Sequence, residues 1–199
     1  MTAYLYLEGG GDSKELHARC REGFRKLLER CGFARRMPRL VACGPRGAAY
    51  DAFITAHGGA AGGAYVALLV DSEDPVADVN DPWAHLLWRD GWVRPAGARD
   101  EQAFLMVTSM ETWIACDRAA LTARYGARLQ TSALPSLANL ESRPRAEVLR
   151  TLEHATRSAP RPYAKGAEAF ALLARLDQRT LRQHLPSFAR MVTILDREL

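Results

Sequence analysis

The chain has 199 residues, with 27 Lys+Arg against 23 Asp+Glu for a formal net charge of +4, and 48% of its residues are hydrophobic. That balance belongs to an ordinary globular protein long enough to bury a sizeable core, and it excludes disorder, collagen-like repeats and coiled coil as descriptions of the whole chain. No apolar run approaches the ~18–20 residues of a membrane span, and Met1-Thr2-Ala3-Tyr4-Leu5 lacks the basic start and long apolar stretch of a signal peptide, so a cytoplasmic protein that does not engage a membrane is expected.

Ala3-Tyr4-Leu5-Tyr6-Leu7 is short, aromatic and apolar and predicts a strand. Asp12 or Ser13 can then cap a helix to about Cys31, along which Leu16, Cys20, Phe24, Leu27 and Leu28 recur at helical spacing, with Gly32 as the stop. A second strand is expected at Arg39-Leu40-Val41-Ala42-Cys43 and a second helix from Ala48 to about Ala56. His57-Gly58-Gly59-Ala60-Ala61-Gly62-Gly63 reads as a flexible connection. Tyr65-Val66-Ala67-Leu68-Leu69-Val70 is apolar on both faces, as a central strand must be. A short helix near Trp83 to Trp88 and a fourth strand at Ala103 to Val107 follow, and from Met110 the spacing turns helical. The expected fold is therefore α/β: a mostly parallel sheet flanked by helices over residues 1–115, with an all-helical part over 116–199 packed on it.

Charge is uneven along this plan. Residues 1–40 carry nine basic and five acidic side chains, residues 41–111 four and ten, and residues 112–199 fourteen and eight. An acidic middle between basic ends fits a carboxylate site beside a phosphate-binding surface, and it fits solvated helix faces equally well. Cys20, Cys31, Cys43 and Cys116 form no Cys-x-x-Cys pair and lie at no zinc spacing from a His, so they are expected to be small buried side chains. Ser13 and Ser72 lack a nucleophile elbow. Trp83, Trp88, Trp92 and Trp113 suit core packing better than base stacking.

Two segments leave strands at their carboxyl ends, Glu8-Gly9-Gly10-Gly11-Asp12-Ser13 and Asp71-Ser72-Glu73-Asp74. In an open parallel sheet ligands bind beyond those ends, and if the first and third strands are neighbours, Glu8, Asp71 and Glu73 converge. Clustered carboxylates need a cation between them, and Mg²⁺ or Mn²⁺ is the economical one, with Asp12 and Asp74 as possible accessories. Gly9, Gly10 and Gly11 would let the backbone approach a phosphate, or simply form a tight turn. The plain alternative for the acids is helix capping by Asp71 and Asp74 and a salt bridge from Glu8.

These segments resemble the Toprim domain of topoisomerases, primases and overcoming-lysogenization-defect nucleases. The chain resembles more closely a bacterial domain-of-unknown-function family, number forty-two seventy-six. That second likeness runs through the Glu8 and Asp71 segments, Cys20-Arg21-Glu22-Gly23-Phe24-Arg25, Met37 to Gly44, Arg89-Asp90-Gly91-Trp92, Met110-Glu111-Thr112-Trp113 and Tyr163-Ala164-Lys165-Gly166. The Toprim resemblance implies Glu8 as general acid or base and Asp71 and Glu73 as the metal-binding pair, although this chain has Asp-x-Glu where the pattern is Asp-x-Asp. The family resemblance adds Glu111 as a further carboxylate ligand and Lys165 as a phosphate-neutralising cation, and it implies a role in bacterial defence or DNA processing with an ATPase partner. The resulting expectation is a Mg²⁺-dependent nuclease acting on nucleic acid. A non-catalytic subunit of an ATPase and a phosphoesterase with a smaller substrate are the alternatives, and homo-oligomerisation stays open.

Overall fold

Branched and aromatic residues without interruption define the strands, and their pairing places everything else. A computed structural model describes residues 2–59 and 63–199; the glycine-alanine connection lies partly outside them, at 60–62. Strands β1 (Ala3–Leu7), β2 (Arg39–Ala42), β3 (Tyr65–Asp71) and β4 (Ala103–Met106) form one all-parallel sheet in the order β2-β1-β3-β4. Leu7 lies opposite both Ala42 and Leu69, and Asp71 lies opposite Met106, so the four carboxyl ends form one edge. All seven residues of β3 are buried, which is why that segment reads as a continuous apolar run rather than an alternating one.

Helix α1 (Lys14–Leu28) joins β1 to β2. Ser13, not Asp12, caps it, its hydroxyl accepting from the Leu16 amide at 3.1 Å. The expected stop at Gly32 is real in a different form: the helix widens over Glu29–Phe33, where Gly32 takes a φ of 97°. Helix α2 (Arg46–Gly58) starts two residues before the expected Ala48, on Pro45. Helix α3 (Pro82–Asp90) is capped by Asp81 and ends on left-handed Gly91. Beyond β4 the described residues hold helices and short 3₁₀ turns only: α4 (Met110–Cys116), α5 (Arg118–Tyr125), α6 (Arg145–Thr156), α7 (Ala167–Leu173), α8 (Gln178–His184) and α9 (Pro186–Glu198).

Alternation along the strands divides the core between two faces. Val66, Leu68, Val70 and Leu105 face Phe53 of α2 and Trp83 and Leu86 of α3. Leu5, Leu7, Ala67, Leu69 and Phe104 face α1 and the C-terminal helices. Each valine, leucine and phenylalanine among them contributes about 1.5–3 kcal/mol by leaving water. Trp113 is fully buried on the second face, edge-on to Phe24 of α1 at 6.4 Å and to Phe188 of α9 at 4.9 Å. One apolar cluster thus runs from the sheet through α1 into α9. The helices after β1 and β2 lie on opposite faces, so the winding reverses between β1 and β3. Ligand sites of open parallel sheets form at such a reversal. No helix among the described residues is long and apolar enough to cross a membrane.

Glu141 ties α9 down, accepting from the Ser187 amide at 3.2 Å and from its hydroxyl. Burial pushes its carboxyl up to about 7 against these hydrogen bonds. A carboxyl raised from an ordinary value near ~4.3 gives stability that is present at low pH and lost as pH rises through the folded value. Glu141→Gln is therefore expected to match wild type at pH 5 and to exceed it at pH 8 by about 2 kcal/mol in urea unfolding. Parallel stability curves for the two proteins between pH 5 and 8 would rule this out.

Candidate metal centre

The sheet edge gathers its charged groups through backbone geometry first. Glu8 is the first residue past β1, its amide held by the Leu69 carbonyl at 2.9 Å. Its Oε2 accepts from the amide of Asp71, the last residue of β3, at 2.8 Å. Asp71 Oδ1 accepts from the Met110 amide at 2.8 Å, so this carboxylate caps α4 rather than the helix that follows it in sequence. Glu73 sits two residues on with a left-handed φ of 68°, a conformation that costs a non-glycine residue about 1–2 kcal/mol, and its amide is held by the Thr108 carbonyl at 2.8 Å. One ligand atom from each of Glu8, Asp71 and Glu73 lies within 4.8 Å of the other two.

These acids are poorly solvated. Burial, then the charges of Glu8 and Glu111, push the Asp71 carboxyl well above the usual carboxylate range, against the Met110 amide and Arg145. Burial likewise raises Glu8, opposed by the Asp71 amide and by Arg46, Arg145 and Lys165. Four cations from distant parts of the chain answer this charge. Arg46 donates from Nε to the Asp71 carbonyl at 2.8 Å, lies 3.9 Å from Glu8, pairs with Asp90 and covers the Trp92 ring at 4.5 Å. Arg145 pairs with Glu73, and Arg89 reaches Glu73 at 3.5 Å and Asp74 at 3.1 Å. Lys165 lies 3.6 Å from Glu111, whose Oε1 also accepts from the Tyr163 hydroxyl at 2.9 Å. The acidic middle of the chain and its basic C-terminal part thus meet at this edge.

A cleft of about 340 Å³ opens here, lined by Glu8, the three glycines, Asp71, Glu111, Lys165 and an apolar wall that includes Leu16, Met110 and Phe170. Gly9, Gly10 and Gly11 all have positive φ, at 125°, 95° and 51°. A Cβ at Gly10 would lie 2.6 Å from the His17 ring and 2.9 Å from its Cα, so Gly10→Ala is expected to cost about 1–3 kcal/mol. Gly47, on α2 with open space around it, provides the control: Gly47→Ala should stabilise by about 0.4–1 kcal/mol. Urea midpoints of the two variants check this contrast.

The structure brings Glu8, Asp71 and Glu73 together and adds Glu111 and Lys165 along the cleft. Glu111 is held by Tyr163 and Lys165 and stands outside the group of three ligand atoms. Asp12 is exposed outside the cleft, and Asp74 is exposed and taken up by Arg89. Arg46 and Arg145 escaped the sequence reading, and Arg89 and Tyr163 entered it only within segments of family likeness, with no role of their own. Arg46 had a signal, since it follows Gly44-Pro45 at the carboxyl end of a strand; Arg145 had none.

The donor set fits a hard divalent cation. All ligand atoms are carboxylate oxygens, and two oxygens bound at about 2.0–2.6 Å to one ion can lie up to about 4.0–5.2 Å apart, a span that covers the 4.8 Å within which these three fall. A family model described as a domain of unknown function (DUF4276) matches residues 7–196. No curated protein and no solved structure matches the chain significantly.

Proposed function

We propose that this chain, which belongs to the DUF4276 family, is a divalent-metal-dependent nuclease that hydrolyses a phosphodiester at the β1–β3 edge. The observation that carries the reading is the convergence of Glu8, Asp71 and Glu73 at the reversal point of a parallel sheet, with Lys165 lining the adjoining cleft. The likeness to Toprim domains, and with it a place in bacterial defence or DNA processing, is part of the proposal.

Asp71 and Glu73 would hold Mg²⁺ or Mn²⁺, which when bound polarises a phosphoryl oxygen and makes a coordinated water a better nucleophile. Glu8 Oε2 is engaged by the Asp71 amide, which leaves Oε1 to exchange a proton with the attacking or leaving oxygen. A carboxyl raised by burial suits that task, because it gains and loses a proton closer to neutral pH than an exposed one. Lys165 offsets the phosphate charge as a compact cation, and Glu111, fixed by the Tyr163 hydroxyl, holds the Lys165 ammonium beside the cleft. Arg145 neutralises Glu73 when no metal does so.

A second reading makes the chain a subunit that works only with a partner such as an ATPase. Leu87, Trp88 and Val93, exposed on and just after α3, support it, since large apolar side chains left in water often mark contact surfaces. The test is cleavage of supercoiled plasmid, linear duplex, single strands and tRNA with Mg²⁺, Mn²⁺ or EDTA. Metal-dependent cutting is expected. A folded protein that cuts none of them with any metal would move the assignment to the partner-dependent reading.

A further inference from the structure

We infer that the cleft takes one unpaired nucleotide, with its base against the apolar wall and its phosphate at the wall of carboxylates and Lys165. The inference rests on the nuclease reading and adds the class of substrate to it. Phosphodiester hydrolysis needs charge and proton donors, yet four of the twelve residues lining the cleft are Leu16, Met106, Met110 and Phe170. A phosphate-only site gives such a wall no role. Aromatic rings and thioethers, in contrast, are good surfaces for the flat face of a base, whichever base it is.

Size and depth point the same way. At about 340 Å³ the cleft lies at the lower end of the ~300–1,000 Å³ range of small-ligand sites, room for one nucleotide unit. Asp71 and Glu111 are only 9% and 3% exposed, so the reacting groups are sunk below the surface. A paired duplex could seat a nucleotide at that depth only by flipping it out of the stack, which costs a few kcal/mol and is avoided by a strand end, a loop or a free nucleotide.

The test varies the ligand rather than the protein, so misfolding cannot confuse it. Binding is measured by fluorescence anisotropy with Ca²⁺, using a short labelled single strand, its full duplex and an abasic deoxyribose-phosphate strand of equal length. The base-bearing single strand is expected to bind about tenfold more tightly than either of the others. Competition by a nucleoside monophosphate, but not by ribose 5-phosphate, would identify the free nucleotide as the source; failure of both to compete beside a tight single strand would identify the strand. Equal binding of abasic and base-bearing strands, equal binding of duplex, or no binding of any probe would overturn the inference. Cleavage is followed separately with Mg²⁺. Base-dependent binding without cleavage keeps the cleft assignment and removes the nuclease reading, whereas equal cleavage of duplex and single strand does the reverse.

Discussion

Asp71→Asn is expected to lower metal-dependent cleavage by about 10²–10³-fold while raising the melting temperature of the metal-free protein. The two effects have one cause. Asp71 is buried beside Glu8 and Glu111, and all three circumstances disfavour its charged form. The amide retains an oxygen for the Met110 amide, and the hydrogen bond from the Asp71 backbone to Glu8 does not involve its side chain, so the fold should be intact. Removing a disfavoured charge should raise melting by a few degrees in EDTA at pH 8, since 1 kcal/mol moves a domain of this length by about 2–4 °C. With metal the order reverses. Wild type gains about 2.7 kcal/mol at a metal concentration about a hundredfold above its dissociation constant, and the variant should gain almost nothing. Calorimetry with and without Mn²⁺ checks both halves, and equal stabilisation of the two proteins by Mn²⁺ would argue against Asp71 as a ligand.

The largest loss of stability is expected from Arg46→Met. Arg46 and Asp90 are both about nine-tenths buried and paired with each other, and the same guanidinium serves the Asp71 carbonyl. Its flat face covers Trp92, which in turn stacks on Tyr50 at 4.3 Å, so the group is fixed by packing as well as by charge. Removing one partner of a buried pair costs about 3–5 kcal/mol, and because Asp90 keeps Arg89 at 2.7 Å the loss should fall at the lower end, roughly 10 °C here. Arg46→Lys should recover less than half of this, because an ammonium cannot bond in two directions and stack at once. Adding Asp90→Leu to Arg46→Met should restore part of the loss by removing a buried charge that Arg89 alone then offsets. Thermal unfolding of the four proteins decides it, and an Arg46→Met variant within about 1 kcal/mol of wild type would refute the clamp.

The parts of this fold legible in the sequence are those set by local rules. The Tyr65 run had to be a central strand because it is apolar on both faces, and Glu8 and Asp71 had to share an edge once their strands were neighbours. Element ends were less legible. Pro45 starts α2 without a side-chain cap, and α1 runs into a wider coil at Glu29 before Gly32, with its left-handed backbone, breaks it. The cationic half of the site was hidden for a different reason. An arginine on a helix reads as a solvated side chain, and only the packing of α6 on α4, the helix that leaves the sheet edge, turns Arg145 towards Glu73. Lys165 was reached through family resemblance alone, since nothing around it in sequence shows that the α7 approach returns to the sheet edge. The left-handed backbone of Glu73 leaves no mark in composition either.

The central claim is that Asp71 and Glu73 hold one hard cation beside Glu8, at the joined ends of β1 and β3. The most direct measurement is anomalous diffraction at the manganese edge from crystals soaked in Mn²⁺, beside crystals of Asp71→Asn treated alike. One peak is expected in wild type, within about 2.0–2.6 Å of an oxygen from each of Asp71 and Glu73 and adjoining Glu8, and none at that place in the variant. A wild-type crystal with ordered Glu8, Asp71 and Glu73 and no manganese between them would contradict it.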